Sequence, residues 1–216
     1  MIFQLDDKLC FPDPKLADDD GCLAVGGDLS VDRLLLAYQH GIFPWYSFRD
    51  SDEPVWYCPH RRFVIFPSEI HVSHSMRTLI NKEEYHFSIN QDFDGVIRQC
   101  SRLRIDEDGA WLGEDMIRAY SELHRQGFAA SVEVWNEDDE LVGGLYGVNI
   151  DKAFFGESMF SLVPSGSKLA LIFLARIFGQ AGGVLIDCQL ETAHLRSMGG
   201  RYISYDEYMQ LISGNT

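Results

Sequence analysis

Leu185 and Ile186 close a short apolar run, and Asp187, Cys188 and Gln189 follow directly. A carboxylate and an amide at the end of a buried strand can orient or deprotonate a nucleophile, and strand ends in open α/β sheets commonly bind ligands. Asp187 could equally cap the following helix. Cys188, with His194 close behind it, permits a thiol-nucleophile reading, although nearness in sequence proves no pairing. A second segment, residues 154–161, reads FFGESMFS. On an alternating strand Phe154, Gly156, Ser158 and Phe160 share one face, and Phe155, Glu157, Met159 and Ser161 the other. Glu157 then lies between Phe155 and Met159. A carboxylate so placed must be paired, hydrogen-bonded or held protonated. That setting suits a cationic or amine substrate, or a structural ion pair. Trp45, on the proline-stiffened stretch Gly41–Tyr46, and Trp111, after an acidic turn, offer aromatic faces for stacking a nucleobase. Core packing between domains is the competing role for both.

These groups need a frame. Residues 1–60 are rich in Pro and Gly, with one clear helix between Ser30 and Gly41. The stretch is too irregular to hold much core, and the expectation is a small N-terminal domain packed on the remainder. From residue 61 to 216 the pattern is α+β. A strand is expected at Phe63–Phe66, helices after Ser73 or Ser75, over Asp94–Cys100 and over Glu114–Gln126. The period then becomes two: residues 131–135, 141–150 and 153–160 read as an antiparallel meander. A helix from Ser167 to Gly179, a strand at Val184–Asp187 and helices at Thr192–Met198 and Asp206–Ile212 complete the chain. Meander, helix, strand, helix is also the order of the N-acetyltransferase (GNAT) fold, in which an acyl donor sits where two strands splay apart.

Composition narrows the class. The chain has 216 residues, 46% hydrophobic, with a net charge of −15. No stretch reaches the ~20 apolar residues that span a bilayer, and the acidic start lacks the basic lead of a signal peptide, so a cytoplasmic protein without membrane attachment is expected. The five cysteines are scattered with no CxxC pair, so neither zinc nor a redox dithiol is indicated. The acidity runs against nucleic-acid binding, which rests largely on neutralising phosphates. The bases nevertheless gather at His60-Arg61-Arg62, at Arg77 and Lys82, and at Arg98, Arg102 and Arg104, either as a local basic strip or as solubilising charge.

Taken in order, the segments resemble the signature of leucyl/phenylalanyl-tRNA–protein transferases. The stretches that carry the resemblance are Leu23–Ser30 (LAVGGDLS), Gly41–Trp45, Ala119-Tyr120 through Gly127, Ser131–Trp135, Leu141–Val148, Gly156–Ser161, Ser167-Lys168, Ile186–Gln189 and His194-Leu195. The resemblance implies a GNAT-like catalytic domain behind the small N-terminal one, in a monomeric enzyme. The donor would be leucyl- or phenylalanyl-tRNA and the acceptor a protein with N-terminal Arg or Lys, the product being marked for degradation. No metal or other cofactor is implied. Consistent with this, residues 196–201 approach the pyrophosphate loop of acetyl-CoA enzymes but lack its last small residue.

By the same resemblance Asp187 and Gln189 are the catalytic pair, Asp187 orienting Gln189 or accepting a proton. Substrate-assisted transfer through the tRNA hydroxyls is the alternative. The side-chain pocket falls on Phe154, Met159, Leu171, Leu174, Phe178 and Ile186, with Leu145 beside it. Trp45 and Trp111 hold the terminal adenosine, Glu157 lies near the ester, Ser158 is a further substrate-binding residue, and Arg61, Arg62, Arg77 and Lys82 are the expected tRNA contacts. Departures occur at Thr192, where some relatives have Asn, at Leu174, aromatic in some, and at Ser204-Tyr205, where Pro-Arg is usual. A tRNA-dependent transferase with another acceptor usually needs a longer, duplicated domain, and a catalytically dead tRNA binder would not need both Asp187 and Gln189.

Overall fold

The computed structural model describes residues 2–45, 53–105 and 113–213. Trp111, one of the two expected adenosine platforms, lies outside the described residues. Four short strands, β1 (Phe3–Leu5), β2 (Cys22–Gly26), β3 (Phe43–Trp45) and β4 (Val55–Tyr57), form a sheet in the order β1-β2-β4-β3. Helix α1 (Val31–Gln39) joins β2 to β3. The Ser30 hydroxyl caps it by accepting the Arg33 N–H at 3.4 Å, and Gly41 ends it at φ +72°.

The second sheet has seven strands: β5 (Arg61–Ile65), β6 (His86–Ile89), β7 (Ala129–Trp135), β8 (Leu141–Ile150), β9 (Ala153–Ser161), β10 (Leu185–Asp187) and β11 (Arg201–Ser204). Their order is β11-β5-β10-β9-β8-β7-β6. The meander β7-β8-β9 lies where its period-two pattern put it. β9 and β10 are parallel, so a crossover must join them; α5 (Gly166–Gln180) is that crossover. The remaining helices are α2 (His74–Asn81), α3 (Phe93–Ile105), α4 (Glu114–Arg125), α6 (Ala193–Ser197) and α7 (Tyr205–Ile212). Among the described residues no helix is long and apolar enough to cross a membrane.

The sheet divides the buried apolar residues between its two faces. On one, Ile65, Met76, Leu145, Phe154, Leu171 and Ile186 pack together with α5. On the other, Val96, Tyr120, Tyr146 and Phe155 share a cluster with Leu23, Leu34, Tyr38 and Trp56 from the N-terminal segment and Tyr208 from α7. Among the described residues, the four-stranded sheet thus shares its buried apolar cluster with the seven-stranded one.

Two features of β9 create the site. β10 pairs with β9 only from Leu185↔Ala153 to Asp187↔Phe155, while β9 runs on to Ser161, so a gap opens beyond Phe155. In the same place β9 bulges: Gly147 faces Gly156 and Tyr146 faces Ser158, leaving Glu157 without a partner on β8. The extra residue resets the alternation. Phe154 and Met159 fall on the α5 face, and Phe155 and Phe160 on the other. The strict alternation expected from sequence, with Phe155 and Met159 on one face, is thus corrected. Gly147 admits the arrangement, since a Cβ there would sit 2.1 Å from the Phe155 carbonyl oxygen and 2.6 Å from the Phe154 ring.

Candidate active site

The gap between β9 and β10 holds a cavity of about 220 Å³. Its apolar end is built by Leu145, Phe154, Met159, Leu171, Leu174 and Ile186, from β8, β9, β10 and α5. At the other end stand Glu157, Ser158 and Gln189, with Trp45 and Leu190 at the rim. Both rim side chains are exposed, Trp45 at 37% and Leu190 at 41%. Trp45 leans edge-on against Tyr57 at 5.6 Å between centroids.

Glu157 is the charged group of this cavity that has least access to water, at 7% exposure. Its Oε1 accepts hydrogen bonds from the Tyr38 hydroxyl (2.8 Å) and the Gln189 side-chain amide (2.9 Å), and its Oε2 from the Tyr120 hydroxyl (2.8 Å). Tyr38 and Tyr120 also touch each other at 2.7 Å. Burial pushes the Glu157 carboxyl up to about 7, against the opposing pull of the two tyrosines. Burial likewise holds both tyrosines well above their ordinary range, so they remain protonated donors. The requirement drawn from sequence, that this carboxylate be hydrogen-bonded or proton-shifted, is met in both ways.

Asp187 is fully buried and forms no part of the cavity wall. Its carboxylate is occupied by Arg62, by the Tyr208 hydroxyl at 2.7 Å and by the Gln189 backbone N–H at 2.8 Å. That last bond holds Gln189 at φ +61°, a left-handed conformation that a non-glycine side chain seldom adopts. Asp187 does not cap α6; Thr192 does, accepting the Leu195 N–H at 3.1 Å. Cys188 lines the cavity, but its thiol faces the Ile186 carbonyl and burial pushes its pKa far up, so it supplies no thiolate nucleophile. The Ser158 Oγ is buried without a hydrogen-bond partner.

In the arrangement present, the Gln189 side chain turns its NH₂ to Glu157, as it does whenever that carboxyl is ionised. Its carbonyl oxygen is then left for a ligand. An apolar slot that ends in an amide oxygen, a buried carboxyl and an exposed tryptophan suits a small apolar side chain carried on a larger, stackable group.

The family model for leucyl/phenylalanyl-tRNA protein transferase matches residues 64–213, and that for the N-terminal domain of the same family matches 27–60. A leucyl/phenylalanyl-tRNA–protein transferase of Syntrophobacter fumaroxidans is 46% identical over 215 residues, covering 99% of this chain and 91% of its own. One from Pseudomonas fluorescens is 49% identical over 208 residues, covering 95% and 91%. The chain belongs to the leucyl/phenylalanyl-tRNA protein transferase family. Among solved structures, L-PGS from Bacillus licheniformis overlaps with a TM-score of 0.44 at 14% identity, over 79% of this chain and 54% of the other, too slight a likeness to define the fold.

Of the residues that the transferase resemblance singled out, the structure gathers Trp45, Leu145, Phe154, Glu157, Ser158, Met159, Leu171, Leu174, Ile186 and Gln189 around one cavity. Phe178 is a correction: it does not line the cavity but stands behind Phe154, edge to face at 6.1 Å. Arg62 is another. It is 1% exposed and bound to Asp187, so it offers no surface to a tRNA. Arg61, Arg77 and Lys82 are exposed, and none of them lines the cavity. Arg61 lies over the Tyr202 ring at 4.6 Å, and Lys82 pairs with Glu84 at 3.5 Å. Tyr38, Tyr120 and Tyr208 were missed as site residues. A signal did exist for Tyr120: it lies on the buried stripe of α4 beside Met116, Ile117 and Leu123, and a hydroxyl there needs a partner.

Proposed function

We propose that this chain transfers a leucyl or phenylalanyl group from its tRNA to the N-terminal Arg or Lys of an acceptor protein, at the gap between β9 and β10. Family membership over nearly the whole chain supports the reaction, and one observation carries the location: the apolar cavity ends at the Glu157–Gln189 pair. The donor side chain enters between Phe154, Met159 and Leu171. Leu and Phe are unbranched at Cβ, so the narrow gap admits them and disfavours Ile and Val, within the ~1–3 kcal/mol that a methyl group can supply. Trp45 stacks on the terminal adenosine, and Ser158 and Glu157 lie beside the ester.

The donor ester is already activated, so no covalent enzyme intermediate is required and no metal or further cofactor is called for. The acceptor α-amine, with a reference pKa of about 7.7–8.0, hydrogen-bonds to the free Gln189 carbonyl oxygen. Its nitrogen attacks the ester carbonyl; the C–N bond forms, the bond to the ribose oxygen breaks, and one amine proton ends on that oxygen. Holding the two reactants together supplies much of the rate. Asp187 acts behind Gln189, by fixing its backbone.

The splay of β9 from a parallel β10 supports a GNAT-like reading of residues 61–216, with 1–60 as the smaller N-terminal domain. A monomeric cytoplasmic enzyme fits the substrates, with Arg61, Arg77 and Lys82 toward the tRNA. The test is to incubate labelled leucyl-tRNA with peptides that begin with Arg, Lys, Asp or Ala. Label should pass to the Arg and Lys peptides alone; no transfer to either would refute the reading.

A further inference from the structure

Beneath the cavity lies a cluster of which this scheme uses only Asp187. The Arg62 guanidinium sits between the rings of Phe43 and Tyr208, 4.7 and 4.8 Å from their centroids. Its Nε donates to both Asp187 oxygens at 2.9 Å, and its Nη2 reaches Oδ2 at 2.8 Å. Its Nη1 donates to the Gly41 carbonyl at 2.7 Å. Tyr208, from α7, completes Asp187 with its hydroxyl. A second α7 tyrosine, Tyr205, donates to the His40 carbonyl at 3.0 Å. Gly41 is shaped to this contact: a Cβ there would stand 2.8 Å from the Tyr208 ring.

One buried ion pair therefore touches two parts of the site. Through Asp187 it holds the left-handed Gln189 backbone, and through Gly41 and Phe43 it holds the strand that carries Trp45. A buried pair is costly to desolvate and is kept only with good geometry and further hydrogen bonds. Here those bonds run to the two segments whose spacing matters.

We propose that Tyr208 and Arg62 are positioning residues for the transfer reaction, and that the C-terminal helix α7 is thereby a working part of the active site. They set Asp187, which sets Gln189, and they tie that group to the Trp45 strand. The proposal rests on the reading that Gln189 addresses the acceptor amine.

The experiment is a double-mutant cycle between Tyr208→Phe and Gln189→Ala, with kcat, the KM for an Arg-peptide and the Kd for leucyl-tRNA measured at each corner. Tyr208→Phe keeps the ring on Arg62 and the Arg62–Asp187 pair, and removes one donor. It should lower kcat roughly tenfold, as expected for one hydrogen bond to a charged group, and leave the leucyl-tRNA Kd within about twofold. In the Gln189→Ala background it should cause no further loss. A slow Gln189→Ala enzyme in which Tyr208→Phe still costs its full tenfold overturns this proposal alone, because Tyr208 would then act on the fold and not through Gln189. A Gln189→Ala enzyme with wild-type kcat overturns the assignment of Gln189 and the proposal with it. Arg62→Lys, read in the same cycle, applies the same criterion if the phenylalanine variant does not fold.

Discussion

Replacing Glu157 by Gln removes a titration that the fold has moved. The carboxyl stands at about 7 instead of its ordinary 4.5. Desolvation is the main cause, helped by the charge of Asp187 and opposed by Tyr38, Tyr120 and Arg62. The difference, 7 − 4.5, at ~1.36 kcal/mol per unit amounts to about 3 kcal/mol. The direction follows from linkage: the folded chain keeps a proton that the unfolded chain has already lost. This contribution to stability is fully present below about pH 4.5 and disappears as the pH rises through about 7. Glutamine does not titrate. The unfolding free energy of the wild type minus that of Glu157→Gln should therefore fall by about 3 kcal/mol across that window. Urea unfolding of both proteins, at steps from about pH 4.5 to about pH 8, measures it from the midpoints at constant slope. Parallel pH curves would refute the reasoning, because Glu157 would then titrate alike folded and unfolded.

Three further outcomes are expected. Gly41→Ala forces a left-handed alanine, costing ~1–2 kcal/mol, and displaces Tyr208; thermal melting should show the loss, and transfer should slow more than melting alone explains. Trp45→Ala should leave stability within about 0.5 kcal/mol, since the side chain is exposed, yet raise the donor KM by about fivefold to 150-fold through lost stacking of ~1–3 kcal/mol; an unchanged KM would remove Trp45 from the donor site. Asp187→Ala strands the Arg62 charge in the interior, so denaturant unfolding should report a loss of ~3–5 kcal/mol before any kinetic effect can be read.

Much of this was legible in the sequence where periodicity is strong. The meander, α4 and α5 carry clear patterns, and Asp187, Glu157 and the apolar pocket residues stand out because a core does not need their types in those places. The strands of the N-terminal sheet were not legible. β1, β3 and β4 have three residues each, and β2 is buried at Cys22, Leu23 and Ala24 in succession, which leaves no alternation to read. The bulge at Glu157 was hidden for a related reason, since one inserted residue changes no composition and is set by pairing with β8. Arg62 was misjudged because charge alone suggests a surface. Only the fold shows that Asp187 and Tyr208, far off in sequence, close around it.

The most direct test of the central claim is the crystal structure of the protein with phenylalanine joined to adenosine through a stable amide. The phenyl ring is expected between Phe154, Met159 and Leu171, the amide within hydrogen-bonding reach of Gln189 or Glu157, and the adenine against Trp45. An analogue that binds tightly but leaves the β9–β10 gap empty would contradict the account.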